Sequence, residues 1–262
     1  METVSTLSII GMAFAFIISV GLPIGLFVFV LKKLKADPLS FLIGALTFFV
    51  SVLLLEQIFH TVMFRIFGST LQENLILYAI YAGLSAGIFE ETGRLFSMKV
   101  LMKKTLSKEN AVMYGIGHGG CEAIMIVGLT SISNIVTSIM INAGSIGALL
   151  DKLDPAVKET TIQKLSLLWS TPSYQFYMAG VERISAILLH ICLSYLVYKA
   201  VKNHKYQLYV IAILIHAAID AATVLLAHYV PIYVFEMIVL AVVLLLSFVI
   251  HQKYEGDQMQ VV

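Results

Sequence analysis

Residues 7–31 read LSIIGMAFAFIISVGLPIGLFVFVL, an apolar run without a single charged side chain. A helix that spans a bilayer needs about 20 predominantly apolar residues, so Leu7–Leu31 predicts a first transmembrane helix. It is too long for the apolar part of a secretion signal, and the acidic Glu2 stands where such a signal is basic, so the segment reads as a retained span. The pattern repeats along the chain. Leu39–Phe59, Leu75–Leu101, Ala111–Leu129, Tyr174–Tyr198, Gln207–Ala227 and Ile232–Ile250 bring the expected spans to seven.

Composition agrees. The 262 residues are 59% hydrophobic and 13% charged, with a mean hydropathy of +0.92; a soluble domain is about 45–50% apolar and about 25% charged. The formal charge is +1 and basic residues fall in short clusters, so no continuous basic face offers a site for nucleic acid. Cys121 and Cys192 lie inside apolar runs, which reads as reduced packing residues and not as a disulfide framework. The expected fold is an all-α polytopic transmembrane helix bundle forming a single domain over residues 1–262, embedded in the lipid bilayer of a cell membrane.

Lysine and arginine in short loops mark the cytoplasmic side. With seven spans, the basic segments at Lys32–Lys35, Lys103–Lys108, Lys199–Lys205 and Lys253 fall on one face, while Thr61–Asn74, Thr130–Ser173 and His228–Pro231 fall on the other. That predicts an outside N-terminus and a cytoplasmic C-terminus. The segment Ile132–Leu150 is apolar but broken by Ser133, Asn134, Thr137, Ser138 and Asn142. An eighth span there would invert the later charge pattern, so a re-entrant or interfacial helix after the fourth span is expected.

The informative residues are the ionisable ones inside the spans, which are costly in a bilayer and usually paired or functional. The third run holds Glu90, Glu91 and Arg94, and the fourth His118 and Glu122. The fifth holds Glu182, Arg183 and His190, and the sixth His216 and Asp220. Measured from the nearest lysines at about 1.5 Å per residue, Glu90, Glu91, His118, His190 and His216 lie about 14–20 Å in from the basic ends. Four helices of alternating direction therefore deliver polar groups to one depth, which describes a shared site. His118 and Glu122, His216 and Asp220, and Glu90 and Arg94 are i, i+4 pairs on common helical faces. Arg94 is thereby expected to hold Glu90.

Plainer roles compete. Glu182–Arg183 also suits a structural ion pair between helices, and His190 an interhelical hydrogen bond. Glu56, His60 and Glu236 lie near outer span ends and read as interfacial. Gly83-Leu84-Ser85-Ala86-Gly87 has the form of a serine nucleophile turn, but small residues inside a membrane helix more often serve packing. The glycines at 115, 117, 119 and 120 likewise suit close helix approach beside His118.

An aspartyl site needs two carboxylates sharing a proton, and Asp220 is the only aspartate within a span. A His-Glu-x-x-His zinc helix is absent. What remains is a glutamate and histidine site. Either a glutamate activates water while histidine stabilises the oxyanion, or a ligand set drawn from His118, His190, His216 and Glu122 holds zinc with an open water position. The metal-free and zinc versions both stay open. So do a proton- or cation-coupled transporter and a non-catalytic membrane assembly subunit.

Glu90-Glu91-Thr92-Gly93-Arg94, Tyr114 with His118 four residues on, and His216 with Asp220 four residues on together resemble the motifs of the CAAX prenyl protease and bacteriocin-processing membrane protease superfamily, and within it the bacterial YhfC-like branch. The resemblance covers about residues 75–227, the expected catalytic core. It implies a multi-helix endopeptidase acting on membrane protein or peptide substrates. In it Glu90 and His118 would activate water, Glu91 would assist, and His216 with Asp220 would stabilise the oxyanion. Arg94, Glu122, Glu182, Arg183 and His190 would support these groups or touch substrate. The arginine stands one residue earlier than in the CAAX-type pattern, tyrosine replaces phenylalanine, and Glu122 and Glu182 are additional. No prenyl-binding feature is recognisable.

Overall fold

The computed structural model describes residues 2–259, which contain nine helices and no strand. They are α1 (Thr6–Lys33), α2 (Pro38–Glu73), α3 (Leu75–Phe96, continued by one π-helical turn at Ser97–Leu101), α4 (Lys108–Asn142), α5 (Ile146–Leu150), α6 (Pro155–Ser170), α7 (Ser173–Lys202), α8 (Gln207–Tyr229) and α9 (Ile232–Met259). Local chemistry fixes the starts. Ser5, Asn74 and Ser107 each accept a hydrogen bond from a backbone N–H of the first turn, and Asp37 and Asp154 do the same ahead of Pro38 and Pro155, satisfying donors that a helix start leaves free.

Six of these helices are long and apolar enough to cross a membrane: α1, α2, α4, α7, α8 and residues 232–255 of α9. The seventh expected span, α3, is not among them. The same 22 residues that form it carry Glu90, Glu91 and Arg94, so the groups that build the site dilute its apolar signal. It packs along α8 nonetheless.

Two boundaries differ from the sequence expectation. Thr61–Glu73, read as an outer loop, continues α2. Residues 132–142, expected within a separate re-entrant helix, prolong α4 to Asn142, and only Ile146–Leu150 stands apart. Apolarity ends near these points, but helical hydrogen bonding does not, because neither stretch holds a proline or helix-ending glycine pair. The elements too short to span are α5, of five residues, and α6, of sixteen.

Exposure is inverted relative to a soluble protein. Ile88, Leu214 and Leu245 face outward while Glu91, Arg94 and His118 are fully enclosed. The most enclosed helix is α7, which contacts α1, α4, α8 and α9. Close backbone approach draws the polar faces together. A side chain at Gly44 of α2 would strike the carbonyl of Tyr114, and one at Gly117 of α4 that of Phe41. Gly83 of α3 sits equally close to Ala217 of α8, so the Gly-x-Ser-x-Gly sequence is a packing surface. On the basic side of the polar layer, Met98, Met102, Tyr114 and Leu193 form a tight apolar core. Three π-helical turns, Phe49–Glu56, Ser97–Leu101 and Ile124–Gly128, adjoin this layer on α2, α3 and α4. Such turns shift the facing of everything beyond them.

Candidate functional site

The polar residues of α3, α4, α7 and α8 meet in one cluster. Its fixed part is Arg94, whose Nη1 donates to both oxygens of Glu91 at 2.6 and 2.7 Å. Its Nη2 donates to His190 Nδ1 at 2.9 Å. The i, i+4 reasoning paired Arg94 with Glu90; the structure pairs it with Glu91, three residues away. Helical neighbours at both spacings share a face, and Glu90 is turned toward α4 instead. Glu91 Oε1 also lies 2.9 Å from His216 Nδ1. A carboxylate already holding arginine can only accept there, so His216 Nδ1 carries a proton, and Nε2 is the nitrogen that faces Glu90 and Asp220.

Glu90 uses its two oxygens differently. Oε2 is 2.8 Å from His118 Nε2 and 3.9 Å from His190 Nδ1, while Oε1 is 3.8 Å from His216 Nε2. The His118 and His190 rings lie 4.8 Å apart, and those of His190 and His216 5.3 Å. His118 is wholly buried and its Nδ1 has no hydrogen-bond partner.

Glu122 and Arg183 close the side of the site. Arg183 Nη1 donates to Glu122 Oε1 at 2.8 Å, and its Nε donates to Glu182 at 2.6 Å with Nη2 on the same carboxylate. The Glu182–Arg183 ion pair is therefore present and extends to α4. His190 Nε2 lies 2.5 Å from Glu122 Oε2, although that oxygen is off the angles a hydrogen bond requires. Asp220, one turn beyond His216, places Oδ2 3.6 Å from His216 Nε2 and keeps its side chain 36% exposed.

All ten residues singled out in the sequence thus lie in one connected network. A cavity of about 90 Å³ opens onto it, lined by Glu90, Glu122, Glu182, His190, His216 and Asp220. Sequence reasoning missed one ionisable lining residue. Glu236 on α9 was read as interfacial, yet it is 4% exposed and borders this cavity. Counting residues from the span end misplaced it; the signal available was a lone carboxylate in an otherwise uncharged run, Ile232–Ile250. Glu56, also read as interfacial, is buried on the π-helical turn of α2 with Oε1 3.3 Å from His60 Nε2. Cys121 and Cys192 are unpaired, as expected.

Comparison with known proteins gives the chain a family. The YhfC intramembrane metalloprotease family matches residues 18–244. The chain belongs to the YhfC family. It is 41% identical over 224 residues to the uncharacterized membrane protein YhfC of Bacillus subtilis (strain 168), covering 85% of this chain and 86% of that protein. No solved structure matches it.

The family's description implies a metal, and the donor set can be tested against that. Among the described residues, one group of three offers ligand atoms within 4.8 Å of one another: Glu90, His190 and His216, all buried. Two imidazoles and a carboxylate suit zinc. His118 and Glu122, named with them as sequence candidates, are not in this set. Two of the three are held from behind, Glu90 by His118 and His216 by Glu91, while His190 has Arg94 on Nδ1 and Glu122 beside Nε2. Ligands oriented by such outer partners are the usual construction of a metal site. The residues fit the group.

Proposed function

We propose that this chain is an intramembrane metalloprotease that hydrolyses peptide bonds of membrane-associated substrates. The observation that carries the proposal is the convergence of Glu90, His190 and His216 at the wall of a small cavity, with Glu90 and His216 each backed by a separate polar partner. Glu90, His190 and His216 would hold the ion. Bound there, a divalent ion supplies Lewis-acid polarisation of the scissile carbonyl and makes water acidic enough to attack near neutral pH.

The chain's own residues supply the remaining work. Asp220 lines the cavity next to His216 Nε2 without being locked into the Arg94 network, so it is the carboxylate free to take a proton from the attacking water and return it to the leaving amine. Glu91 fixes the tautomer of His216 and the direction of its lone pair. His118 holds one oxygen of Glu90 and leaves the other facing His216. His190 has a neighbour on each nitrogen, Arg94 and Glu122, so it is the ligand that must exchange a contact when the site is loaded. This assigns Glu90 to ligation and Asp220 to proton transfer, whereas the motif resemblance gave Glu90 with His118 the water and Asp220 the oxyanion. With the basic ends of α1, α7 and the α3–α4 connection read as cytoplasmic, the cavity lies on the far side of the polar layer, where Glu182, Thr223 and Glu236 line it near the opposite helix ends.

The test is cleavage of membrane-embedded reporter proteins by the purified chain in liposomes. Activity should vanish with a chelator, return with zinc, and be absent in Glu90→Gln. Cleavage that survives both treatments sinks the metal site. Proton-coupled flux without any cleavage would make the chain a transporter.

A further inference from the structure

Glu236 points to what the cavity accepts. It is the one charged residue of the α9 run Ile232–Ile250, it is buried, and its Oε2 has no hydrogen-bond partner. Five carboxylates line the cavity: Glu90, Glu122, Glu182, Asp220 and Glu236. A single guanidinium, Arg183, is shared between two of them. With Arg183 and one divalent ion both counted and the histidines neutral, two negative charges remain uncompensated, those of Asp220 and Glu236. A buried carboxylate in a low-dielectric wall is costly as an anion, so it either takes up a proton or is joined by a cation.

Apart from the hydroxyls of Ser185 and Thr223 and the two histidines, the remaining walls are apolar. Leu189, Ile219, Phe235, Val239 and Val243 share the cavity with these carboxylates. A ligand that matches both surfaces has an alkyl stem and a cationic head, the construction of a lysine or arginine side chain. We propose that the cavity is a specificity pocket for a basic side chain of the substrate, with Glu236 as the group that receives its charge. The proposal rests on the protease reading for its biological use, but not for the binding it predicts.

Two measurements separate the two. In the first, the purified full-length protein in detergent is titrated with n-butylammonium and n-butylguanidinium, with n-butanol as the neutral counterpart, and thermal stabilisation is followed. Both cations should bind saturably and n-butanol should not. Glu236→Gln should weaken them about tenfold or more, as loss of one charge partner does, while Glu236→Asp, which keeps the charge, should stay much closer to the parent. The ligand-free melting transition of each variant serves as its folding control. An equal response to n-butanol, or cations bound unchanged by Glu236→Gln, overturns the pocket.

In the second, transmembrane reporter peptides differing at one position, Lys, Met or Glu, are offered for cleavage. The Lys peptide should be preferred and the preference lost in Glu236→Gln. Glu236-dependent cation binding with no peptide cleaved upholds the pocket and sinks the protease reading. Cleavage indifferent to the basic residue overturns the pocket and leaves the protease reading in place.

Discussion

Glu91 and Asp220 are both carboxylates set against His216, one on each ring nitrogen, and they differ in nearly everything else. Glu91 is fully enclosed, 2.9 Å from Nδ1, with both oxygens on Arg94. Asp220 stands 3.6 Å from Nε2, half in the cavity. The first arrangement leaves no freedom to move a proton and every means to hold an imidazole still. The second has room, access and no arginine. Charge-assisted bonds in a buried setting hold their members still, although Arg94 Nε has no partner, so the contrast divides the polar layer into a sealed floor that positions and an open wall that reacts.

Asp220→Asn should break the open side and produce the largest effect. Loss of a proton acceptor lowers turnover by about 10²–10⁴-fold, whereas the ion should still bind, because Asp220 is outside the converging donor set. Turnover of a reporter in liposomes, read beside zinc content of the purified protein, checks both halves. Zinc lost together with activity would move Asp220 to the floor.

Arg94→Ala attacks the sealed side. It strands Glu91 without a cation in an interior with no solvent, and breaking a buried pair from one end costs about 3–5 kcal/mol. The expected outcome is a lowered melting temperature and poor accumulation in the membrane. The double variant Glu91→Gln with Arg94→Met should lose less than Arg94→Ala alone, since removing both charges leaves no buried charge unpaired and only His190 Nδ1 without its donor. A double variant that behaves as badly as the single one would show that Arg94 matters through His190 instead.

This division was only half visible in the sequence. That Glu90, Glu91, His118, His190 and His216 share a depth followed from counting residues to the lysines, because a helix rises by a constant amount per residue and the spans alternate direction. Which partner each would choose did not follow. Glu90 and Glu91 both lie within a turn of Arg94, and the choice between them is made by helix rotation, set by contacts such as Gly83 against Ala217 and Gly44 against Tyr114. Rotation is a tertiary property that spacing cannot report. The π-helical turns add to this, since each inserts a residue's worth of rotation without a sequence mark. Glu236 was missed for a related reason: distance from a span end was used as a proxy for exposure, while α9 leans its Phe235–Glu236 face into the bundle. The all-α character was legible at once, because apolar length alone decides it.

His118→Ala lies between the two sides. His118 touches Glu90 but stands outside the converging donors, so its loss should loosen a ligand without deleting one. Removing such an outer partner typically costs about 10–100-fold in metal affinity. Competition with a fluorescent zinc chelator measures this independently of turnover. Affinity unchanged by the substitution would mean that Glu90 is held by packing alone and that His118 acts on the substrate directly.

The smallest effect is expected where an ion pair has neither property. Lys158 Nζ lies 2.8 Å from Asp151 Oδ1 on the α5–α6 side of the protein, with side chains 38% and 73% exposed. Water already solvates both ends, so removing the pair should change stability by about 0–1 kcal/mol. Lys158→Ala should therefore melt within a few degrees of the parent and cleave the same reporters at the same rate. The distances in this pair and in Arg183–Glu122 are equal at 2.8 Å, so any difference between their variants isolates burial from geometry. Should Lys158→Ala destabilise the protein as strongly as Arg94→Ala, enclosure would not be what separates the sealed floor from the rest, and the contrast between Glu91 and Asp220 would need another cause.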